Sequence, residues 1–155
     1  MPSIVRVDAA DPALARLTVE VVAEYGYRYD EPGADIAPVA ADAAWVLVRD
    51  DDGTAVGCGA LQPWSHSVAD APADVGELKR MYVVPPSRGR GLSRLLVAAL
   101  IDVARQRGLS ALVLETGVEQ PEAMALYASS GFVLMPTWGE YADDPRSRCF
   151  RLELA

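Results

Sequence analysis

The chain has little from which to build a metal centre or a disulfide. It contains two cysteines, Cys58 and Cys149, and one histidine, His66. Neither cysteine belongs to a C-x-x-C pair or stands at zinc-ligand spacing from the histidine, which argues against a structural zinc site. Both lie in apolar runs, so buried, inert thiols are expected. One histidine gives a hydrolytic triad little to work with. Positive charge is also scarce. Fourteen Lys and Arg against 22 Asp and Glu leave a net charge of -8, which argues against nucleic-acid binding. No apolar run reaches the length of a bilayer span, so no membrane partner is expected. The first residues, MPSIVRVDAADPAL, lack the basic region and apolar core of a secretory signal, and a cytoplasmic location follows as the default. No repeat or low-complexity tract is seen.

What is present suits a globular domain. At 155 residues, 51% hydrophobic and 23% charged, the chain is expected to form one domain over 1–155 with a proper core. Its centre is ELKRMYVVPPSRGRGLSRLLVAALIDVA, Glu77 to Ala104. Glu77 to Val84 predicts a strand, ended by Pro85-Pro86. Leu92, Leu95, Leu96, Ala99, Leu100 and Val103 then fall on one face of a helix, which Gly108 stops. The turn between them, Ser87 to Ser93, lacks bulk where the helix begins. Its backbone N–H groups can approach an anion, the helix N-terminus favours negative charge, and Arg88, Arg90 and Arg94 add positive charge. A phosphate or pyrophosphate is the natural guest. The turn is not a P-loop, for no GK[ST] follows, and it lacks the third glycine of a dinucleotide fingerprint. A capped helix with solvated arginines is the plain alternative.

The rest of the chain reads in order as βαβββαβαββ. Ile4–Val7 is a strand. Asp11-Pro12 caps a helix that breaks at Gly26. Residues 32–41 are a loop or a short second helix. Ala44–Arg49 and Thr54–Leu61 form a hairpin about Asp52-Gly53, with Gly57 and Gly59 marking close packing or a bulge. A polar loop runs from Gln62 to Ala73. Strands at Ala111–Glu115, Phe132–Met135 and Cys149–Leu154 and a helix from Pro121 complete it. The fold class is α+β in an αβα arrangement, with a mixed sheet of six to seven strands and about four helices.

Arg88-x-x-Gly91-x-Ser93, between a strand and a helix, resembles the acetyl-CoA motif of the GNAT N-acetyltransferase superfamily, Q/R-x-x-G-x-G/A, with Ser93 in place of the last small residue. Ala123, Leu126-Tyr127 and Gly131-Phe132 are similar to that family's A-x-x-L-Y-x-x-x-G-F signature. The likeness covers Val75 to Phe132. It implies a splayed central sheet, acetyl-CoA as cosubstrate without a metal, and transfer to an amine in a ternary complex. The backbone of Gly89, Arg90, Gly91, Leu92, Ser93 and Arg94 would hold the pyrophosphate, with Arg88 beside it. The strand backbone at Met81, Tyr82 and Val83 would pair with pantetheine, and an N–H near Val83 would face the oxyanion. Tyr127 would protonate the departing thiolate. A carboxylate must deprotonate the amine. Glu77 on the fourth strand is favoured and Glu115 at the end of the fifth is the second candidate, though Glu77 could merely pair with Lys79 or Arg80.

The amine is expected to be a small cationic molecule, in a pocket furnished from Tyr25, Tyr27, Trp64, Trp138, Tyr141 and Asp143. A peptide amine, another acyl group, or a non-catalytic acyl-CoA sensor are the alternatives, and a homodimer is possible.

Overall fold

The computed structural model describes residues 1–31 and 37–154. Its elements are β1 (Ser3–Val7), α1 (Pro12–Arg28), β2 (Ala44–Arg49), β3 (Ala55–Pro63), β4 (Val75–Val83), α2 (Leu92–Gln106), β5 (Ala111–Gly117), α3 (Pro121–Ser129), β6 (Val133–Met135) and β7 (Ser147–Glu153). The strands form one sheet in the order β1-β2-β3-β4-β5-β7-β6. Every neighbouring pair is antiparallel except β4–β5. The expected element order and mixed sheet are found. The helix count is corrected: the described residues hold three α-helices, not about four. Of the loop or helix expected over 32–41, residues 32–36 lie outside the described residues, and 37–41 contain no helix. No helix is long and apolar enough to cross a membrane among the described residues.

Side-chain alternation distributes the core to two faces. On β2, Ala44, Val46 and Val48 join the cluster under α2 and α3, while Trp45 and Leu47 join the cluster under α1. This is the period of two that a strand buried on both faces requires. Asp11 caps α1 by accepting from the Ala13 N–H at 2.9 Å, with Pro12 at the first helical position. The helix does not break at Gly26 but runs on to Arg28. Gly26 is buried there, and packing outweighs the roughly 1 kcal/mol that glycine costs a helix interior. Strand β3 runs two residues beyond the expected end, because Gln62 and Pro63 still pair with Glu77 and Gly76 of β4.

Close packing at Gly57 is real. A Cβ there would lie 2.7 Å from the Tyr82 carbonyl oxygen and 2.8 Å from a Val48 methyl. Gly57→Ala is therefore expected to destabilise the fold by about 1–3 kcal/mol, the usual cost of overpacking, as a lower midpoint in urea with an unchanged slope.

Two irregularities shape the middle of the sheet. First, β4 and β5 pair only over Val75–Glu77 and Ala111–Val113. Beyond those three rungs both strands continue, to Val83 and Gly117, without pairing to each other, and the sheet opens. Second, β4 carries a bulge. Lys79 faces Ala60 and Tyr82 faces Cys58, so Arg80 and Met81 together oppose Gly59. Arg80 takes a left-handed backbone, φ 58°, a conformation that costs a residue with a Cβ roughly 1–2 kcal/mol. The extra residue reverses the alternation. Leu78 before it and Val83 after it both pack toward α2, and Tyr82 packs toward α1.

Candidate active site

The Arg/Gly turn lies between β4 and α2. Gly89 and Gly91 have φ of 80° and 78°, the region glycine enters without a Cβ penalty. The α2 N-terminus has no side-chain cap. Among the described residues, the backbone N–H groups of 89 through 94 donate no hydrogen bond. Six consecutive free donors at a helix start form an anion site by geometry and by dipole.

The three arginines divide. Arg88 donates from Nε to the Val83 carbonyl at 2.8 Å, pairs with Glu24 at 2.6 Å and lies over the Tyr82 ring. One carbonyl of the segment expected to face pantetheine is thus used internally. Arg90 turns outward into a two-point pair with Asp50 at 2.9 Å, fastening the turn to the β2–β3 hairpin. Arg94 donates to Ser129 Oγ at 2.7 Å, joining α2 to α3.

A cavity of about 260 Å³ follows the turn, lined by Met81, Tyr82 and Val83 of β4, by Arg88, Gly89, Gly91, Leu92, Ser93 and Arg94, and by Tyr127 of α3. Of the expected cofactor residues, Arg90 alone is not on its wall. Glu24 and Arg28 of α1 also line it. Arg28 pairs with Glu24 and with Glu122 of α3, and donates to the Glu119 carbonyl at 2.9 Å.

A second cavity, about 400 Å³, occupies the other side of the opened strands. The two share Met81, Gln120, Ala123 and Tyr127 as walls. Tyr127 is 5% exposed, its ring packed against Phe132 and Phe150. Its hydroxyl bonds to no other described residue. Burial above all holds its phenol above the usual tyrosine range.

The two carboxylate candidates have different fates. Glu77 is 0% exposed. Its Oε1 accepts from Ser67 Oγ at 2.5 Å and Gln62 Nε2 at 3.1 Å, and Oε2 lies 3.7 Å from Lys79 Nζ. Gln62 in turn accepts from the Ala40 N–H. Glu77 is thus enclosed in a network that ties β4 to β3, and it does not line either cavity. Glu115 lines the larger one. Burial pushes its carboxyl up to about 7, against the lowering effects of a 2.8 Å hydrogen bond from Ser147 Oγ and the charge of Lys79. Of the two carboxylates, Glu115 alone borders a described cavity.

Two of the six residues expected around the amine, Tyr25 and Tyr141, line the larger cavity. Tyr27 is 89% exposed, while Trp64 and Trp138 pack on each other edge to face in a core cluster of their own. Asp143 is not on the wall; Asp144 is. Tyr29, Lys79, Arg80, Gln120 and Arg146 line the larger cavity as well, though none of them was among the six. Tyr29 stands four residues from Tyr25 and shares its helix face, a spacing legible in the sequence. Arg80 was not legible there, because a bulge decides where it points. Both cysteines are buried as expected, and burial pushes each thiol up to about 12.

Comparison with known proteins agrees with this geometry. The model of the acetyltransferase (GNAT) family matches residues 14–132. An IAA acetyltransferase of Azospirillum brasilense is 45% identical over 101 residues, 65% of this chain and 62% of that protein, so the match spans less than two thirds of that relative. The uncharacterized N-acetyltransferase YjgM of Escherichia coli is 34% identical over 132 residues, 79% of this chain and 75% of that one. A solved acyl-CoA N-acyltransferase-like structure from Klebsiella pneumoniae superposes with a TM-score of 0.78 at 30% identity, covering 100% of this chain and 99% of that one. With a free-donor turn, a split sheet and a family match over most of its length, the chain belongs to the GNAT acetyltransferase family of acyltransferase enzymes.

Proposed function

We propose that this chain moves an acetyl group from acetyl-CoA to a small-molecule amine by direct attack, with both substrates bound in one domain. The observation that carries this is the shared wall. A cavity bordered by five of the six residues with free N–H donors meets, at Tyr127, a cavity holding a carboxylate whose pKa is pushed up to about 7.

The residues fit the coenzyme. The N–H groups of 89–94 would hold the pyrophosphate, with Arg88 and Arg94 as nearby charge, while Arg90 braces the turn through Asp50. The β4 backbone from Met81 to Val83 would lie along the pantetheine arm. The bound thioester supplies an acetyl group activated toward nucleophiles.

The chain's own residues then manage two protons. An alkyl ammonium cannot attack until it loses one. Glu115 is placed to take it, and a carboxyl near 7 is matched to that task at neutral pH. Tyr127 stands where the two cavities meet and is placed to give a proton to the leaving sulfur. No cysteine lies on the shared wall, which supports direct transfer over an acyl-enzyme. Among the acceptors weighed, a cavity of about 400 Å³ favours a small molecule over a polypeptide.

Coenzyme binding is the test. At about a hundredfold excess over Kd, acetyl-CoA is expected to stabilise the fold by about 2.7 kcal/mol, read as a rise in melting temperature. No rise would remove the reading. A rise without thiol release from any amine would leave an acyl-CoA sensor instead.

A further inference from the structure

We propose that the acceptor carries a carboxylate as well as its amine, as a free amino acid does, and that Arg80 recognises it. This rests on the acetyl-transfer reading above and specifies its substrate class. Four observations lead to it.

The first is Arg80's backbone. Its φ of 58° is a conformation that glycine adopts freely and arginine does not. An arginine held there is explained by what its side chain does. The second is the direction the bulge imposes. On a regular strand Lys79 and Arg80 would point to opposite faces. Here both line the larger cavity.

The third is the pairing of charges around that cavity. Arg146 is engaged by Glu31 and Asp144, and Lys79 lies beside Glu77. Arg80 forms no ion pair among the described residues. Its one hydrogen bond there is from Nη2 to the Ala37 carbonyl at 2.5 Å. Its ionisable neighbours, Tyr25, Tyr141 and Cys58, are ordinarily neutral at pH 7, and burial raises the pKa of each further. The fourth is the opposite wall. Glu115 is on β5 and Arg80 on β4, the two strands that separate to make the cavity. A proton acceptor on one wall and a half-buried cation on the other suit a zwitterion. A polyamine would set a second positive charge against Arg80.

The experiment measures thiol release from acetyl-CoA with the common amino acids, each supplied as the free acid and as its carboxamide. The best acid is expected to exceed its amide in kcat/KM by about 10- to 100-fold, the worth of a charge-assisted hydrogen bond. Arg80→Gln is expected to bring that ratio close to one. Arg80→Gly should do the same while keeping or raising the melting temperature, since glycine relieves the backbone; this separates recognition from folding. An amide as good as its acid, or a ratio that survives in Arg80→Gln, overturns the proposal while leaving acetyl transfer in place. If another amine releases thiol and no amino acid or amide does, the proposal is overturned and acetyl transfer stands; if no amine of any kind releases thiol, the acetyl-transfer reading fails. The melting temperature of the coenzyme A complex with each acid and amide then decides the carboxylate site. A shift with the acid that is lost in Arg80→Gln supports it, and equal shifts or none overturn it.

Discussion

Tyr127→Phe is expected to lower kcat by about 10²–10⁴-fold, the usual contribution of a positioned acid, with coenzyme A binding unchanged. The substitution isolates the hydroxyl. The ring's contacts with Phe132 and Phe150 are edge and tilted aromatic packing that a Phe retains. The hydroxyl bonds to no other described residue, so its loss leaves no internal partner unsatisfied, and the melting temperature should barely move. The departing group is the reason for a large effect. A thiolate leaving where the two cavities meet, beside a carboxylate and a buried ring, is costly as an anion, and a nearby O–H can discharge it. The raised phenol pKa keeps that proton in place through the neutral range. Steady-state kcat beside a coenzyme A titration checks the result; an unchanged kcat would leave Tyr127 as a core residue.

Glu115→Gln is expected to do two things of opposite sign. Activity should fall by about 10²–10⁴-fold, and the rise of kcat/KM through pH 7 should disappear. Stability should increase at alkaline pH. The sign follows from linkage. Unfolded, the carboxyl ionises near its model value of 4.5; folded, it holds its proton up to about 7. Folding therefore takes up a proton between those values, and stability is lost as pH rises from 4.5 through 7. Above 7 the loss is complete, on the order of 3 kcal/mol. Glutamine mimics the neutral form. The variant should melt higher than the wild type at pH 8 and alike at pH 4.5. Glu77→Gln is the contrast, expected to weaken the Ser67–Gln62–Lys79 network and lower the melting temperature while keeping the pH dependence of rate. If Glu77→Gln alone removed that dependence, the base assignment would revert to Glu77.

The sequence made the Arg/Gly turn legible because what it offers is backbone chemistry. Gly89 and Gly91 announce positive φ, and an apolar helix following them fixes where the donors point. The order of elements along the chain was readable for a similar reason, since apolar runs and turn residues act locally. The acceptor side depended on facts that no local pattern records. Glu77 and Glu115 both sit in apolar strands; only the sheet order shows that one is enclosed by β3 and the other borders the opening. Lys79 and Arg80 would have been placed on opposite faces by alternation, and the bulge puts them together. Gly26 reads as a helix end, yet α1 needs to pass through it to bring Tyr29 and Arg28 to the two cavities.

Arg28 sits where the halves of the sheet are farthest from their three shared rungs. Its helix packs on the β1–β4 half, while Glu119 and Glu122 precede and begin the helix of the other half. The opening is therefore closed at its base by backbone rungs and bridged at its rim by charges. Rim charges are shielded by dissolved ions and base rungs are not. Raised ionic strength is therefore expected to loosen the rim contacts of Arg28 while leaving the three backbone rungs between β4 and β5 intact.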